Sequence, residues 1–333
     1  MRDIFAGTSK GIFLVRAGAA EPVSDCPRVR DFWSAGNIVI AATAAGIQRS
    51  RDGGRQWQPS GLEEFEVWAL RPAPDGTLYA VTQPAGLYRS RDGGITWKAV
   101  EAFNAYPGAA EWCVPIDPPL PGRARALVID QQDPTRLWVG VEVGGIMHSD
   151  DEGAHWELTR PGDNPDIHML VAHPEDPDEL FVSTGYGRQD GIAEMIEGNA
   201  GVFRSRDGGT TWQYAWAGIT PRYTRPLCID PRPPYPLTVA CAPSPFSAHT
   251  DTDGAGAMIF RSDDHGASWR SLCDAAHTPS AANFHGLGPA ARGVGDVLAG
   301  TDTGELWRID PAAEWTLLAS GLPAVLSVCD DVS

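Results

Sequence analysis

Seven short apolar stretches of the chain carry side chains that could bind or transform a ligand. When the stretches are aligned on their alanine and leucine residues, the equivalent positions are Trp33, Trp68, Arg125, His168, Arg225, His285 and Leu326. The positions two residues earlier are Asp31, Glu66, Arg123, Asp166, Tyr223 and Asn283. Because side chains alternate along a strand, both sets would point the same way. Core positions are seldom this polar, so the pattern favours a common site.

The residue types predict an anion site with acid–base chemistry. The guanidiniums of Arg125 and Arg225 would hold a carboxylate or a phosphate, and His168 or His285 would act as general acid or base. The predicted catalytic residues are His168, His285, Tyr223 and Glu66. The predicted substrate-binding residues on strands are Arg125, Arg225, Arg123, Asp166 and Trp68. The alternative is a water-filled channel in which Glu66 and Asp166 neutralise the arginines.

A repeated phrase indicates which elements position these residues. Ser-Arg-Asp-Gly-Gly followed by two residues and Trp occupies residues 50–57, 90–97 and 205–212, and looser copies occupy residues 149–156 and 262–269. The aspartate can accept backbone N–H bonds within its own turn, and glycine readily adopts the positive φ that such a turn needs. A strand precedes and another follows each copy, which predicts a β-hairpin. We interpret the phrase as scaffold and not as chemistry.

The spacing of the repeats predicts an all-β, single seven-bladed β-propeller over residues 1–333. Each phrase follows two further strands around a Pro/Asp turn, which gives blades of four antiparallel strands, A to D from the inside outwards. Six innermost strands are followed by their blades, and a seventh begins at residue 324 with no partners after it. The chain starts with strands that lack an A strand. Blade 1 is therefore predicted to combine residues 1–25 with residues 323–329, closing the ring.

The repeated phrase resembles the Asp-box, or BNR repeat, of the WD40/YVTN/BNR-like β-propellers. That group includes sialidases, sortilin-type receptor domains, xyloglucan-active glycosidases and a photosystem II assembly factor. The resemblance implies the fold but no single function, because unrelated activities occur on it. The chain is not expected to be a true sialidase, since the Arg-Ile-Pro element of sialidases is missing before the first box and the blade number is one too high. In size and blade number the assembly factor is the nearest.

Three insertions between the repeats are predicted to lie on the same face of the ring. They are residues 102–122, in a D-to-A connection, and residues 185–200 and 242–256, in B-to-C connections. Both kinds of connection end at the same side of a propeller, and long loops of compact domains are often functional. Tyr186, Arg188 and His249 would overhang the channel mouth and complete the substrate-binding set. Tyr106 and Trp112 would form either a lid or a hydrophobic plug.

Composition limits the partners. The chain has 26 Lys and Arg against 43 Asp and Glu, a net charge of −17, which disfavours nucleic acid and anionic membranes. Neither a leader segment nor a membrane-spanning run is apparent, and the six cysteines lack metal-site spacing, so a cytoplasmic location is expected. We predict no cofactor, with a metal held by His168, His285 and His249 as the alternative.

Two functions remain open from the sequence. In the first, the channel mouth binds a small anionic or sugar-like molecule and hydrolyses it or eliminates a group from it, as a glycosidase-like hydrolase or a lyase. In the second, the protein is a non-catalytic, protein-binding assembly scaffold that uses the decorated face. Tyr106, Trp112, Met195 and Phe246 would then form an apolar plateau.

Overall fold

The computed structural model describes residues 3–114, 116–186, 195–244 and 252–330. The first strands are β1 (Ile4–Thr8), β2 (Gly11–Arg16) and β3 (Ala19–Ser24). Blade 2 consists of β4 (Val29–Ala35), β5 (Ile38–Thr43), β6 (Gly46–Ser50) and β7 (Gln58–Pro59). Blade 3 consists of β8 (Glu66–Pro72), β9 (Leu78–Gln83), β10 (Gly86–Ser90) and β11 (Lys98–Ala99). The connection to blade 4 holds helix α1 (Glu101–Asn104), a 3₁₀ turn (Pro107–Glu111) and the short strands β12 (Cys113–Val114) and β13 (Leu120–Pro121).

The remaining blades repeat the same four-stranded order. Blade 4 consists of β14 (Arg123–Ile129), β15 (Leu137–Glu142), β16 (Gly145–Ser149) and β17 (Glu157–Thr159). Blade 5, after a 3₁₀ turn (Pro161–Asp163), consists of β18 (Ile167–Ala172), β19 (Leu180–Thr184), β20 (Val202–Ser205) and β21 (Gln213–Tyr214). Blade 6 consists of β22 (Tyr223–Ile229), β23 (Leu237–Ala242), β24 (Met258–Ser262) and β25 (Arg270–Ser271). Blade 7, after a 3₁₀ turn (Ala275–His277), consists of β26 (Phe284–Pro289), β27 (Val297–Thr301), β28 (Leu306–Ile309) and β29 (Trp315–Ala319), and β30 (Val325–Asp330) follows it.

The last strand closes the ring. β30 pairs antiparallel with β1, with Phe5 opposite Cys329 and Ala6 opposite Val328, so the first sheet has the order β3-β2-β1-β30. The six other four-stranded sheets have their strands in chain order, and β12 and β13 form a separate two-stranded sheet. This topology confirms the predicted seven-bladed β-propeller and its closure by the C-terminal strand. Among the described residues, no helix is long and apolar enough to cross a membrane.

The Asp-box turn is held by its own side chains. In blade 3, Ser90 Oγ accepts the N–H of Gly94 at 2.9 Å and donates to Asp92 at 2.7 Å. Asp92 Oδ1 in turn accepts the N–H groups of Ile95 and Thr96 at 3.0 and 2.9 Å. These bonds lower the pKa of Asp92, chiefly through the Thr96 hydroxyl and N–H. Every acceptor of the carboxylate is therefore used by the turn, as expected for scaffold.

The hydrophobic core lies between neighbouring blades. One cluster joins Leu87 of blade 3 to Leu127 and Val139 of blade 4, and it includes two aromatic residues of the first insertion, Phe103 and Trp112. Both rings are buried, Trp112 stacks on Tyr106 with centroids 5.7 Å apart, and Phe103 meets Trp112 at 5.9 Å. The first insertion is thus packed onto the blades as a hydrophobic plug.

Candidate functional site

The innermost strand of every blade contains a β-bulge at the same place. In blade 4, for example, Ala124 pairs with Val141 and Ala126 with Gly140, so Arg125 has no partner across the ladder. A bulge adds one residue to a strand and redirects its side chain. The seven bulged residues are Arg30, Trp68, Arg125, His168, Arg225, His285 and Leu326, and Pro226 is also unpaired in blade 6.

The bulges correct the predicted register of blade 2. Trp33 does not lie at the equivalent position, because it pairs with Ile40 and packs against the core between blades 2 and 3. Asp31 accepts the N–H of Leu70 at 2.9 Å, which ties blade 2 to blade 3 away from the mouth. The equivalent residue is Arg30. Alignment on alanine and leucine failed here because blade 2 has Phe32 where the other innermost strands have leucine or valine.

The bulged residues surround one cavity of about 210 Å³ at the channel mouth. Its walls consist of Arg30, Trp68, Arg123, Arg125, Glu142, His168, Met169, Arg225, Pro226, His285 and Leu326. Six predicted site residues are therefore brought together: Trp68, Arg123, Arg125, His168, Arg225 and His285. The sequence reasoning missed Arg30, Glu142, Met169 and Pro226. Glu142 was missed because it lies on the second strand of its blade, opposite Arg123 in the ladder.

The other predicted residues lie beside this wall and not on it. Glu66 pairs with Arg30 at 2.7 Å and with Arg28 at 3.3 Å. Asp166 contacts His168. Tyr223 contacts both His168 and Tyr186, and the ring centroids of Tyr223 and Tyr186 are 5.3 Å apart. The predicted residues Arg188 and His249 lie outside the described part of the chain.

The three insertions adjoin this end of the ring. Arg123, which follows the first insertion, pairs with Glu142 at the start of β14. The second insertion follows Thr184, which pairs with Ile167 at the start of β18. The third follows Ala242, which pairs with the first residue of β22. All three therefore begin or end next to the strand ends that carry the bulges.

Trp68 is surrounded by guanidinium groups. The guanidinium carbons of Arg30, Arg123 and Arg125 lie 4.0, 5.0 and 5.1 Å from its ring centroid. Such contacts are favourable because the face of an indole is electron-rich. Burial lowers the pKa of Arg30 to about 10 although its carboxylate partner acts in the opposite direction, so this guanidinium is still charged at neutral pH.

Among the residues that the structure describes, Glu142 is the carboxylate on the cavity wall. Its Oε2 lies 2.7 Å from Arg125 Nη1 and 3.4 Å from Arg123 Nε, and the side chain is buried. Burial alone would raise the pKa of Glu142, but the two guanidiniums outweigh it and lower the pKa. The group is therefore ionised and is shared by two arginines.

His168 is completely buried at the back of the wall. Its Nδ1 donates to the carbonyl of Thr224 at 2.6 Å, so Nε2 faces Asp166 Oδ1 at 3.2 Å and the Tyr223 hydroxyl at 3.3 Å. Burial opposes ionisation of Asp166, but the neighbouring His168 and the N–H of Tyr186 lower its pKa to about 2. Burial raises the pKa of Tyr223, so its phenol stays neutral.

Arg225 and His285 form a second polar pair on the wall. Arg225 Nη1 lies 3.0 Å from His285 Nδ1. A guanidinium can only donate, so Nδ1 accepts and a neutral His285 carries its proton on Nε2. His285 is half-buried, in contrast to His168, and the Arg225 guanidinium also lies 5.5 Å from the ring centroid of Tyr223.

Three buried donors of the wall have no acceptor among the residues that the structure describes. They are Trp68 Nε1, Arg123 Nε and Arg225 Nε. The Arg123 atom lies 3.4 Å from Glu142 but is not aligned for a hydrogen bond. Buried polar groups are normally paired, so three donors around one cavity indicate space for an acceptor-rich group. One buried acceptor, Asp166 Oδ1, is likewise without a hydrogen bond.

The cluster best placed for a metal on this wall combines Glu142, Asp166 and His168, whose ligand atoms lie within 4.8 Å of one another. The Glu142 carboxylate is already shared by Arg123 and Arg125, and a divalent cation would lie beside both guanidiniums. The two neighbouring guanidiniums therefore disfavour a cation at these carboxylates. The predicted metal set of His168, His285 and His249 includes a residue outside the described part of the chain.

Comparison with known proteins finds one matching repeat model and several structures of similar fold. A model of the BNR/Asp-box repeat matches residues 88–99. No curated protein sequence matches the chain. The GH74 enzyme of Niastella koreensis is similar in structure, with a TM-score of 0.64, 15% identity, and coverage of 94% of this chain and 46% of the enzyme. The GH74 xyloglucanase of Xanthomonas campestris gives a TM-score of 0.61 at 16% identity, with 94% and 45% covered.

A third similar structure is YCF48 bound to D1 peptide, with a TM-score of 0.56, 16% identity, and coverage of 87% of this chain and 81% of YCF48. The chain spans less than half the length of the GH74 enzymes. At these identities the likeness is one of fold. The chain is therefore a seven-bladed β-propeller with a match to the BNR/Asp-box repeat at residues 88–99.

Proposed function

We propose that the channel mouth binds a small anionic molecule through Arg123, Arg125 and Arg225. The observation that carries this proposal is the set of unpartnered buried donors, Trp68 Nε1, Arg123 Nε and Arg225 Nε, around a single cavity. Carboxylate and phosphate oxygens are the acceptors that guanidiniums hold best. The positive wall is notable in a protein whose net charge is −17.

The size of the cavity supports a small ligand. A volume of about 210 Å³ is below the ~300–1,000 Å³ of typical drug-sized pockets. Polar side chains form most of its wall, and Met169, Pro226 and Leu326 are the apolar ones. A small carboxylic or phosphorylated acid, including an acidic sugar, fits these properties.

We also propose that His285 supplies acid–base catalysis if the bound molecule is hydrolysed or undergoes elimination. It is the more exposed of the two imidazoles on the wall, and Arg225 fixes its orientation through Nδ1. His168, by contrast, is buried and already bonded to the Thr224 carbonyl, which suits an electrostatic role together with Asp166. Several similar structures are GH74 enzymes, which is consistent with a glycosidase-like reaction.

Thermal shift and calorimetry with acetate, succinate, phosphate, sulfate and glucuronate test the proposed binding. At least one of these anions is expected to raise Tm in proportion to the logarithm of its concentration. Arg225→Gln and Arg125→Gln are each expected to reduce affinity at least tenfold. Arg51→Gln, an exposed arginine of the first Asp-box, is the matched control and should bind like the wild type. An equal shift in Arg225→Gln, Arg125→Gln and the wild type would refute the proposed site.

A protein-binding role is the second candidate. One similar propeller, YCF48, has been solved with a bound peptide. In this chain, Ile116, Leu120 and Ile196 are exposed, and all three lie in connections next to the channel mouth. For this role, Ile116→Asp combined with Leu120→Asp should abolish binding of a purified partner while leaving the anion-dependent Tm shift unchanged. Loss of the Tm shift in that variant would instead assign the loop to the anion site.

A further inference from the structure

The charges around the cavity do not cancel. Five guanidiniums lie there with the three carboxylates of Glu66, Glu142 and Asp166, so two positive charges are left over. Glu66 is shared by Arg28 and Arg30, at 3.3 and 2.7 Å. Each such trio of two guanidiniums and one carboxylate retains one positive charge.

Glu142 is the centre of the second trio. It is shared by Arg123 and Arg125, at 3.4 and 2.7 Å, so one positive charge is again left over. This trio belongs to blade 4 alone, whereas the first joins blades 2 and 3. Both excess charges therefore lie on one side of the channel, around the Trp68 ring.

Arg225 carries a further positive charge, which Asp166 offsets from a distance and not through an ion pair. Among the described residues, no carboxylate lies within 4.0 Å of its guanidinium, and its polar contacts are with His285 and the Tyr223 ring. The phenol of Tyr223 is neutral because burial raises its pKa. Arg225 therefore keeps its full charge in a largely desolvated place.

The charge of Arg225 lies across the channel from the two excess charges. Arg225 is the bulged residue of blade 6, and Trp68 is the bulged residue of blade 3. In a ring of seven blades, three steps correspond to about 150° around the axis. The unpartnered Arg225 Nε and the unpartnered Trp68 Nε1 thus belong to opposite walls of one cavity.

We infer that the ligand is a short acid with two separate anionic groups, one held by Arg225 and the other by Arg123, Arg125 and Trp68 Nε1. The inference rests on the proposed function and narrows its ligand class to dicarboxylates and phosphorylated carboxylic acids. A spherical cavity of 210 Å³ is about 7 Å across. An extended four-carbon diacid, with C–C bonds of about 1.5 Å, has its terminal carbons about 4 Å apart and fits within that width.

The apolar part of the wall is consistent with such a ligand. Leu326 belongs to blade 1, Met169 follows the bulged residue of blade 5, and Pro226 follows Arg225 in the bulge of blade 6. In the order of the blades around the ring, Leu326 and Met169 lie between the two charged walls, and Pro226 belongs to the wall of Arg225. They offer a surface to the methylene groups that separate the two acids.

Three ligands of almost equal shape and different charge test the inference: succinate, its monoamide succinamate, and the uncharged diamide succinamide. Calorimetry on the wild-type protein at low salt is expected to show succinate binding at least tenfold more tightly than succinamate, and no binding of succinamide. This comparison changes only the ligand, so no variant needs to fold. Arg51→Gln is again the control, because it removes one positive charge from the protein surface outside the cavity.

A cycle that combines one substitution with one change of ligand then shows which residues hold the second anionic group. Arg225→Gln is expected to weaken succinate at least tenfold and succinamate by a smaller factor, because a monoanion can remain on the opposite wall. Arg125→Gln should also weaken succinate more than succinamate. It replaces Arg225→Gln in the experiment if that variant does not fold. Equal affinities for succinate and succinamate, when both bind at the site, overturn the diacid inference while anion binding stands. If no anion of either panel binds, the proposed function itself is wrong.

Discussion

Replacement of Glu142 by glutamine should make the protein less stable and its anion site stronger. Glu142 is only 8% exposed and contacts two guanidiniums, at 2.7 and 3.4 Å. Glutamine has the same shape and keeps one acceptor oxygen, so the variant removes the charge and little else. Arg123 and Arg125 are then left without their counter-ion in a desolvated place.

The two effects can be estimated from this geometry. Removal of one partner of a buried ion pair costs about 3–5 kcal/mol, and the retained amide oxygen favours the lower figure, about 3 kcal/mol. For an anion about 7 Å from Glu142, the repulsion removed is about 2 kcal/mol at an effective dielectric constant of about 20. Affinity should therefore rise by at least about tenfold.

Urea denaturation with and without succinate measures both quantities on the same samples. Glu152 supplies the control, because its carboxylate also lies between two arginines, Arg89 at 3.6 Å and Arg91 at 3.2 Å, but its side chain is 48% exposed. Glu152→Gln should cost at most about 1 kcal/mol, as surface pairs do. Equal losses of stability in the two variants, or weaker succinate binding in Glu142→Gln, would refute the reasoning.

Three further predictions concern the scaffold. Trp138→Ala should cost about 3–5 kcal/mol in urea denaturation, because the indole is fully buried and donates to a carbonyl of the next blade at 2.8 Å; a loss under 1 kcal/mol would contradict this packing. Gly94→Ala should lower Tm more than Gly76→Ala. Both glycines have φ near +80°, but a Cβ at Gly94 would lie 2.8 Å from a neighbouring side chain, whereas a Cβ at Gly76 would meet no atom within 4 Å. The free energy of unfolding should fall as pH decreases from about 4 to about 2, because the pKa of Asp166 is about 2 in the folded state and ~3.9 in the unfolded state. In the Asp166→Asn variant, the free energy of unfolding should depend less on pH over this range.

The fold was predictable because local sequence motifs that specify a turn are repeated along the chain. The Asp-box specifies its own turn through Ser90, Asp92 and Gly94, and the turn fixes the hairpin around it. Counting the hairpins and matching the first strands with the last gives the number of blades. No long-range information is needed for this step, since each blade repeats the one before it.

The site was predictable only in part, because the bulges interrupt the alternation of side chains. Alternation placed Tyr223 and Asp166 at the mouth, whereas the structure has them beside the cavity wall and in contact with His168. The predicted register of blade 2 was wrong because Phe32 stands where the other innermost strands have Leu or Val. Arg30 was therefore not identified as a site residue. A usable sequence signal exists: the residue before each bulge is Val, Ala, Ile, Phe or Thr, and the second residue after the bulge is Leu, Phe or Val.

Ring closure has a consequence for how the protein is made. The backbone edge of β1 that pairs with β30, and Ala6, which packs in a cluster with Leu298 and Val325, are covered only when the last blade and β30 have joined the ring. On the ribosome, the first three strands must wait without their inner neighbour until about 300 more residues have been synthesised, which takes roughly 15–60 s at ~5–20 residues per second. The nascent protein therefore exposes an unfinished sheet edge until β30 has been synthesised.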